Sequence, residues 1–215
     1  RMSMSARSHL PMNNAQDLSY PEIREAVQKL CAQFPGAYWQ SMDRDRSYPT
    51  EFVNALTQSG FLSVLIPEQY GGSGLGLAAA AAVLEEIHRS GGNGGACHAQ
   101  MYTMGTLLRH GSVEQKEHFL PKIASGELRL QAFGVTEPTS GTDTTRITTF
   151  ARREGDHYVV SGQKIWTSRA EHSDLLVLLV RCPMSTKLLV LPSEDRFPAL
   201  RERTMSTKLL PLPVL

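Results

Sequence analysis

Long apolar runs are missing from this chain of 215 residues; the strongest, residues 175–180, is far short of the roughly 20 residues a bilayer-crossing helix needs. An excess of charge of one sign is missing too. Lys and Arg number 22 against 21 Asp and Glu, and no basic stripe runs beside aromatics, which argues against nucleic acid as a partner. Cysteine is scarce. Cys31, Cys97 and Cys182 are odd in number and far apart, which excludes a disulfide framework or a zinc spacing and suits a reducing compartment. His98, His110 and His118 have no carboxylate at ligand spacing, so no metal is expected. The glycine-rich stretch Gly71-Gly72-Ser73-Gly74 lacks the lysine and hydroxyl of a phosphate loop, and no dinucleotide fingerprint follows it.

An apolar fraction of 41% is enough for an ordinary core, in one domain or two. The first 130 residues read as helical. Residues 22–33 place Ile23, Val27 and Leu30 at helix spacing and stop at Pro35-Gly36. Residues 51–59 stop at Gly60, and residues 77–89 form an alanine-rich helix whose Glu85 and Glu86 are expected to face solvent or pair locally. A further helix spans 99–109. Ser112 and Gln115 form a capping box for the next, in which Pro121 is expected to shorten or kink the helix. Near residue 130 the pattern changes to short strand candidates at 130–135, 146–153, 157–161, 164–167, 175–180 and 187–191, with a tight turn at 154–156. These lie too close together for crossover helices. The expected fold is α+β: an N-terminal all-helical domain (20–130), then an antiparallel, barrel-like β-domain (131–192). Residues 1–12 carry two arginines, three serines and no acid, so residues 1–19 read as a processed or disordered terminus. Residues 193–215 read as a divergent tail, in which Met-Ser-Thr-Lys-Leu-Leu of 184–189 recurs at 205–210; this second copy, followed by Pro211 and Pro213, is poor material for a sheet interior.

The densest information lies in Phe133-Gly134-Val135-Thr136-Glu137-Pro138, Gly141-Thr142-Asp143 and Gly162-Gln163-Lys164-Ile165-Trp166-Thr167-Ser168. Glycine turns, hydroxyls and a tryptophan on short strands suit a flat cofactor with a polar edge. Together with Ile66-Pro67-Glu68-Gln69-Tyr70-Gly71-Gly72 and Gly111-Ser112-Val113-Glu114-Gln115-Lys116, these segments resemble the acyl-CoA dehydrogenase family over roughly residues 20–181.

The resemblance implies FAD, an acyl-CoA thioester as substrate and α,β-dehydrogenation, with electrons passed to an electron-transfer flavoprotein. It implies cofactor contacts from Phe133, Val135, Thr136, Gly141, Thr142, Trp166 and Ser168, with Thr142 also touching substrate phosphate or pantetheine. Ser168 stands where the family often has threonine, and Thr142 where it commonly has serine; the hydroxyl is kept in both. Glu137 is expected to buttress a turn rather than move a proton, and Asp143 to brace its loop. The family's catalytic glutamate usually comes from a C-terminal helical domain for which this chain leaves no room, so no catalytic residue is assigned and impaired activity is expected. The alternative is an inactive module or shortened isoform that pairs with a full-length relative, as a homo- or hetero-oligomer. The resemblance also implies the mitochondrial matrix in a eukaryote, the cytoplasm in a bacterium, or a peroxisome.

Overall fold

The computed structural model describes residues 19–155, 157–183, 185–192 and 205–209. Residues 1–18, and the tail apart from 205–209, lie outside the described residues, as does Asp156 of the expected turn. Six helices come first: α1 (Pro21–Cys31), α2 (Gly36–Arg44), α3 (Thr50–Gln58), α4 (Leu77–Arg89), α5 (Gly95–His110) and α6 (Val113–Ser125). Six strands follow: β1 (Leu130–Gly134), β2 (Phe150–Glu154), β3 (His157–Gly162), β4 (Leu175–Cys182), β5 (Ser185–Pro192) and β6 (Met205–Leu209). Among the described residues no α-helix follows β1.

The helices form where apolar spacing demands it. Val27 and Leu30 of α1, Phe52, Val53 and Leu56 of α3, and Val83 and Ile87 of α4 share one core. Buried Ala79, Ala80 and Ala82 give α4 a small-residue face. The rings of Phe34, Tyr38, Trp39 and Phe52 close this core edge to face, at centroid distances of 4.8–5.1 Å. α2 was not expected, because Pro35-Gly36 reads as a stop; the same dipeptide that follows α1 also opens α2. Glu86 is only 1% exposed rather than facing solvent, and it pairs locally as the alternative expected, with Arg89 Nη1 3.3 Å from its Oε1. Gln28 Nε2 and Arg24 Nη1 of α1 donate to its carboxylate at 2.8 and 2.7 Å and hold its pKa below the usual carboxylate range. α6 begins with the expected capping box. Ser112 Oγ accepts from Gln115 N at 3.2 Å while Gln115 Oε1 accepts from Ser112 N at 2.6 Å. The helix runs through Pro121, which lies on its exposed side, to a left-handed Gly126.

β4 joins the two halves. Its residues are buried on both faces, which explains the unbroken Leu175-Leu176-Val177-Leu178-Leu179-Val180 run. Leu175 and Val177 pack with Leu130 against Met104 and Leu107 of α5 and Phe119, Leu120 and Ile123 of α6. Leu176, Leu178 and Val180 turn the other way, onto Ala132, Ala151 and Val160. The sheet order is β1-β4-β2-β3-β6, with β5 also pairing β4. The β2–β3, β3–β6 and β4–β5 ladders are antiparallel, as expected. The β1–β4 ladder is parallel, because the segment between these strands holds the β2–β3 hairpin and returns the chain in the same direction. The described residues of both copies of the repeated hexapeptide are in the sheet: 185–189 in β5, and 205–209 in β6, which pairs β3 at the end of the strand order.

Replacing Ser112 by alanine removes one half of the capping box. A loss of about 1 kcal/mol in urea-denaturation stability is expected, and no loss would mean that α6 does not depend on its cap.

Candidate functional site

Beyond Gly134 the chain stays beside β3's exit long enough for three segments to meet at one carboxylate. Glu137 is 2% exposed. Its Oε2 accepts from Thr148 N at 2.6 Å and from Thr148 Oγ1 at 2.8 Å. Its Oε1 accepts from Thr149 N at 2.9 Å and from Lys164 Nζ at 2.8 Å. Lys164 Nζ also donates to Val135 O at 2.9 Å, and its side chain is only 4% exposed. Two glycines make room for this arrangement. At Gly134 a Cβ would stand 2.8 Å from Leu178 Cδ1 and 3.4 Å from Lys164 Cγ, so the lysine stem passes over a bare backbone. At Gly162, whose φ is 154°, a Cβ would come within 2.5 Å of Thr149 Cα. The Gly-Gln-Lys spacing therefore brings β3's end against Thr149 and delivers Lys164 to Glu137.

Burial alone would raise the pKa of Glu137, but Lys164 and the donors of Thr148 and Thr149 outweigh it and bring the value down to about 2. Burial pulls Lys164 the other way, below the usual lysine range, with Glu137 opposing. The direction that governs the pair is that of Glu137, whose two oxygens are filled by donors, so both groups are ionised at neutral pH. A carboxylate so occupied is unavailable as a general base.

The expected strand at 164–167 is not formed. Ile165 N donates to Thr136 O at 2.9 Å, and the chain then turns, with Trp166 at φ 62° and Arg169 at φ 60°. Trp166 is 84% exposed, held out on a left-handed backbone rather than standing on a strand. Val135 and Thr136 thus lie beside the Lys164–Trp166 segment. Gly141 joins them, since a Cβ there would be 4.0 Å from Thr136 Cγ2. Thr142 and Ser168 are exposed, and neither hydrogen-bonds to Thr136 among the described residues. Phe133 turns toward the helices, its ring centroid 6.0 Å from that of Tyr102. Asp143 braces its loop, with Oδ1 accepting from Thr145 N at 3.1 Å.

Several supporting residues escaped the sequence reading. Tyr48 Oη donates to the buried Gln131 of β1 at 2.7 Å, and Gln131 Nε2 donates to Gln100 of α5 at 3.4 Å. His172 stacks on Tyr48 at a centroid distance of 4.3 Å. Gln131, the one polar side chain in β1, is a sequence signal for this bridge, whereas Gln100 sits among several other polar residues of α5. Lys164 had a stronger one, its place in the Gly-Gln-Lys motif.

A helical layer docked on one face of a mostly antiparallel sheet, with an exposed indole beside the end of β1, defines a two-part α+β architecture. Residues 19–127 match the family description "Acyl-CoA dehydrogenase, N-terminal domain", and residues 132–209 match "Acyl-CoA dehydrogenase, middle domain". The chain belongs to the acyl-CoA dehydrogenase family. Mitochondrial isovaleryl-CoA dehydrogenase of Pongo abelii is 32% identical over 192 residues, which cover 86% of this chain and 45% of the relative. Glutaryl-CoA dehydrogenase of Desulfococcus multivorans is 35% identical over 162 residues, covering 73% of this chain and 40% of the relative. The chain thus spans under half the length of these curated relatives. Among solved structures, an acyl-CoA dehydrogenase from Geobacillus kaustophilus is alike at a TM-score of 0.81 and 24% identity, covering 94% of this chain and 59% of that one; this likeness carries the fold.

Replacing Lys164 by methionine leaves Glu137 buried without its counter-ion. A destabilisation of about 3–5 kcal/mol is expected in chemical denaturation. The double variant Lys164→Met/Glu137→Gln should recover part of that loss. Strictly additive losses would show that the two side chains do not act as a pair.

Proposed function

We propose that the surface formed by Val135, Thr136, Gly141, Thr142, Trp166 and Ser168 binds FAD, and that the protein serves in α,β-dehydrogenation of an acyl-CoA thioester. The observation that carries this reading is the exposure of Trp166. A large indole held 84% exposed on a left-handed backbone, next to strand ends fixed by a buried ion pair, is a rigid platform without a cover. An isoalloxazine fits such a platform: its face lies against the indole, and its polar edge meets backbone groups and hydroxyls. When bound, FAD supplies the acceptor for the hydrogen leaving the acyl β-carbon. The protein's part is to hold that ring, exclude water with Trp166 and position the thioester through the Gly141-Thr142 loop, where glycine permits close approach. Phe133 sits behind this surface, against Tyr102, and acts as its support. Family membership supports an electron-transfer flavoprotein as the partner that takes the electrons, and a second subunit, homologous or identical, that shares the cofactor. The same kinship supports a mitochondrial matrix location in a eukaryote, the cytoplasm in a bacterium, with the peroxisome as another address.

Titrating the protein with FAD while following tryptophan emission tests the reading. Saturable quenching is expected, and Trp166→Phe should remove most of it while Trp39 continues to emit. Thr136→Val and Ser168→Ala should each weaken FAD binding by about 0.5–1.5 kcal/mol, the usual net worth of one hydrogen bond. Emission unchanged by FAD, with no flavin retained on gel filtration, would refute it.

A further inference from the structure

Trp166 is followed three residues later by a second left-handed non-glycine residue, Arg169. Two such residues in one short loop are unfavourable unless the surroundings impose them. The surroundings are visible on the helical side. At Gly95, the first residue of α5, a Cβ would collide with Arg169 Nη2 and stand 3.4 Å from Arg169 Cζ. Asn93 Oδ1, which accepts from Gly95 N at 2.8 Å, lies 2.8 Å from the same point. The guanidinium therefore occupies the space that a side chain at Gly95 would take. A cation beside a helix N-terminus is electrostatically disfavoured, so this contact is not explained by the helix. Just beyond, His172 stacks on Tyr48, whose hydroxyl reaches Gln131 of β1. The loop carrying Trp166 is thus fixed at its start by Lys164 and at its end by the helical layer.

We infer that Arg169 is a positioning residue for Trp166, acting through the bare backbone at Gly95. The contact carries the placement of α5 into the orientation of the indole, so that a change at the start of α5 alters the platform without unfolding it. What the platform then holds rests on the flavin reading above; the coupling itself does not.

The test uses the full chain labelled with 5-fluorotryptophan. It contains two tryptophans, and Trp166→Phe assigns their 19F resonances. Gly95→Ala displaces the far ends of two side chains, Arg169 Nη2 and Asn93 Oδ1, and adds a better helix former. The thermal midpoint should hold or rise, while the Trp166 resonance moves by more than its linewidth and that of Trp39 does not. Arg169→Ala should move Trp166 likewise, and adding Gly95→Ala to it should cause no further shift. Arg169→Gly keeps access to the left-handed backbone without the guanidinium and should behave as Arg169→Ala. An unmoved Trp166 resonance in Gly95→Ala, or Arg169→Gly matching the unsubstituted chain, overturns the inference. With FAD present, Gly95→Ala should bind it about tenfold more weakly because the platform is no longer preorganised. A moved resonance with no FAD binding by any version would uphold the positioning role and defeat the flavin reading instead.

Discussion

The buried Glu137–Lys164 pair is the contact on which the site depends. Three segments distant in sequence end at one carboxylate: the run-out of β1, Thr148 and Thr149 ahead of β2, and the loop after β3. Taking two charges out of water is expensive, and their attraction offsets that only when the remaining hydrogen-bonding capacity is filled. Here the carboxylate takes four donor contacts, and the ammonium reaches Val135 O besides. The pair's main effect is on arrangement. It sets which backbone of 135–136 faces which backbone of 164–165, and that register decides where the chain must turn to present Trp166.

The helical layer supports the same place from behind. β4 is apolar on both faces, so it can pack on α5 and α6 on one side and on the rest of the sheet on the other. Within that apolar seam, Tyr48, Gln131 and Gln100 form a polar bridge that links the α2–α3 connection, β1 and α5. Buried amides left without partners would be costly, so their pairing favours one relative placement of helices and sheet. Tyr102 and Phe133 extend this contact to the edge of the candidate site. The exposed surface is therefore assembled from loops, while its position is fixed by helices and strands.

Local signals in the sequence were readable wherever the cause was local. α4 was expected at 77–89 and spans Leu77–Arg89; the Ser112–Gln115 box caps α6 through backbone geometry a few residues long; β4 shows as an apolar run because both its faces are covered. The features that were not readable have distant causes. Glu86 resembles a surface residue until Arg24 and Gln28, about sixty positions away, are brought to it. Residues 164–167 alternate like a strand, but Lys164 is drawn inward by Glu137 and Trp166 takes a left-handed backbone, which no propensity forecasts. The parallel β1–β4 ladder follows from the path of the chain rather than from the composition of either strand. Of the candidate site, the sequence pointed to Phe133, Val135, Thr136, Gly141, Thr142, Trp166 and Ser168; Val135, Thr136, Gly141 and Trp166 lie along one stretch, while Phe133 turns toward Tyr102. The sequence marked Lys164 only as part of a motif and did not show its pairing with Glu137, nor the stacking and hydrogen bond of Tyr48, because these depend on partners in other segments.

The most direct measurement is an NMR pH titration of the Glu137 side-chain carboxyl carbon in selectively 13C-labelled protein. Because its folded pKa is depressed to about 2 from an ordinary value of 4.5, the pair's stabilisation is present at neutral pH. It is lost only as pH falls from about 4.5 through about 2. The account predicts a carboxyl shift that stays at its ionised value down to pH 4 and below, until the protein itself unfolds. A titration centred near 4.5 in the folded protein would contradict it, because an ordinary, unpaired carboxylate could not hold the site's three segments together.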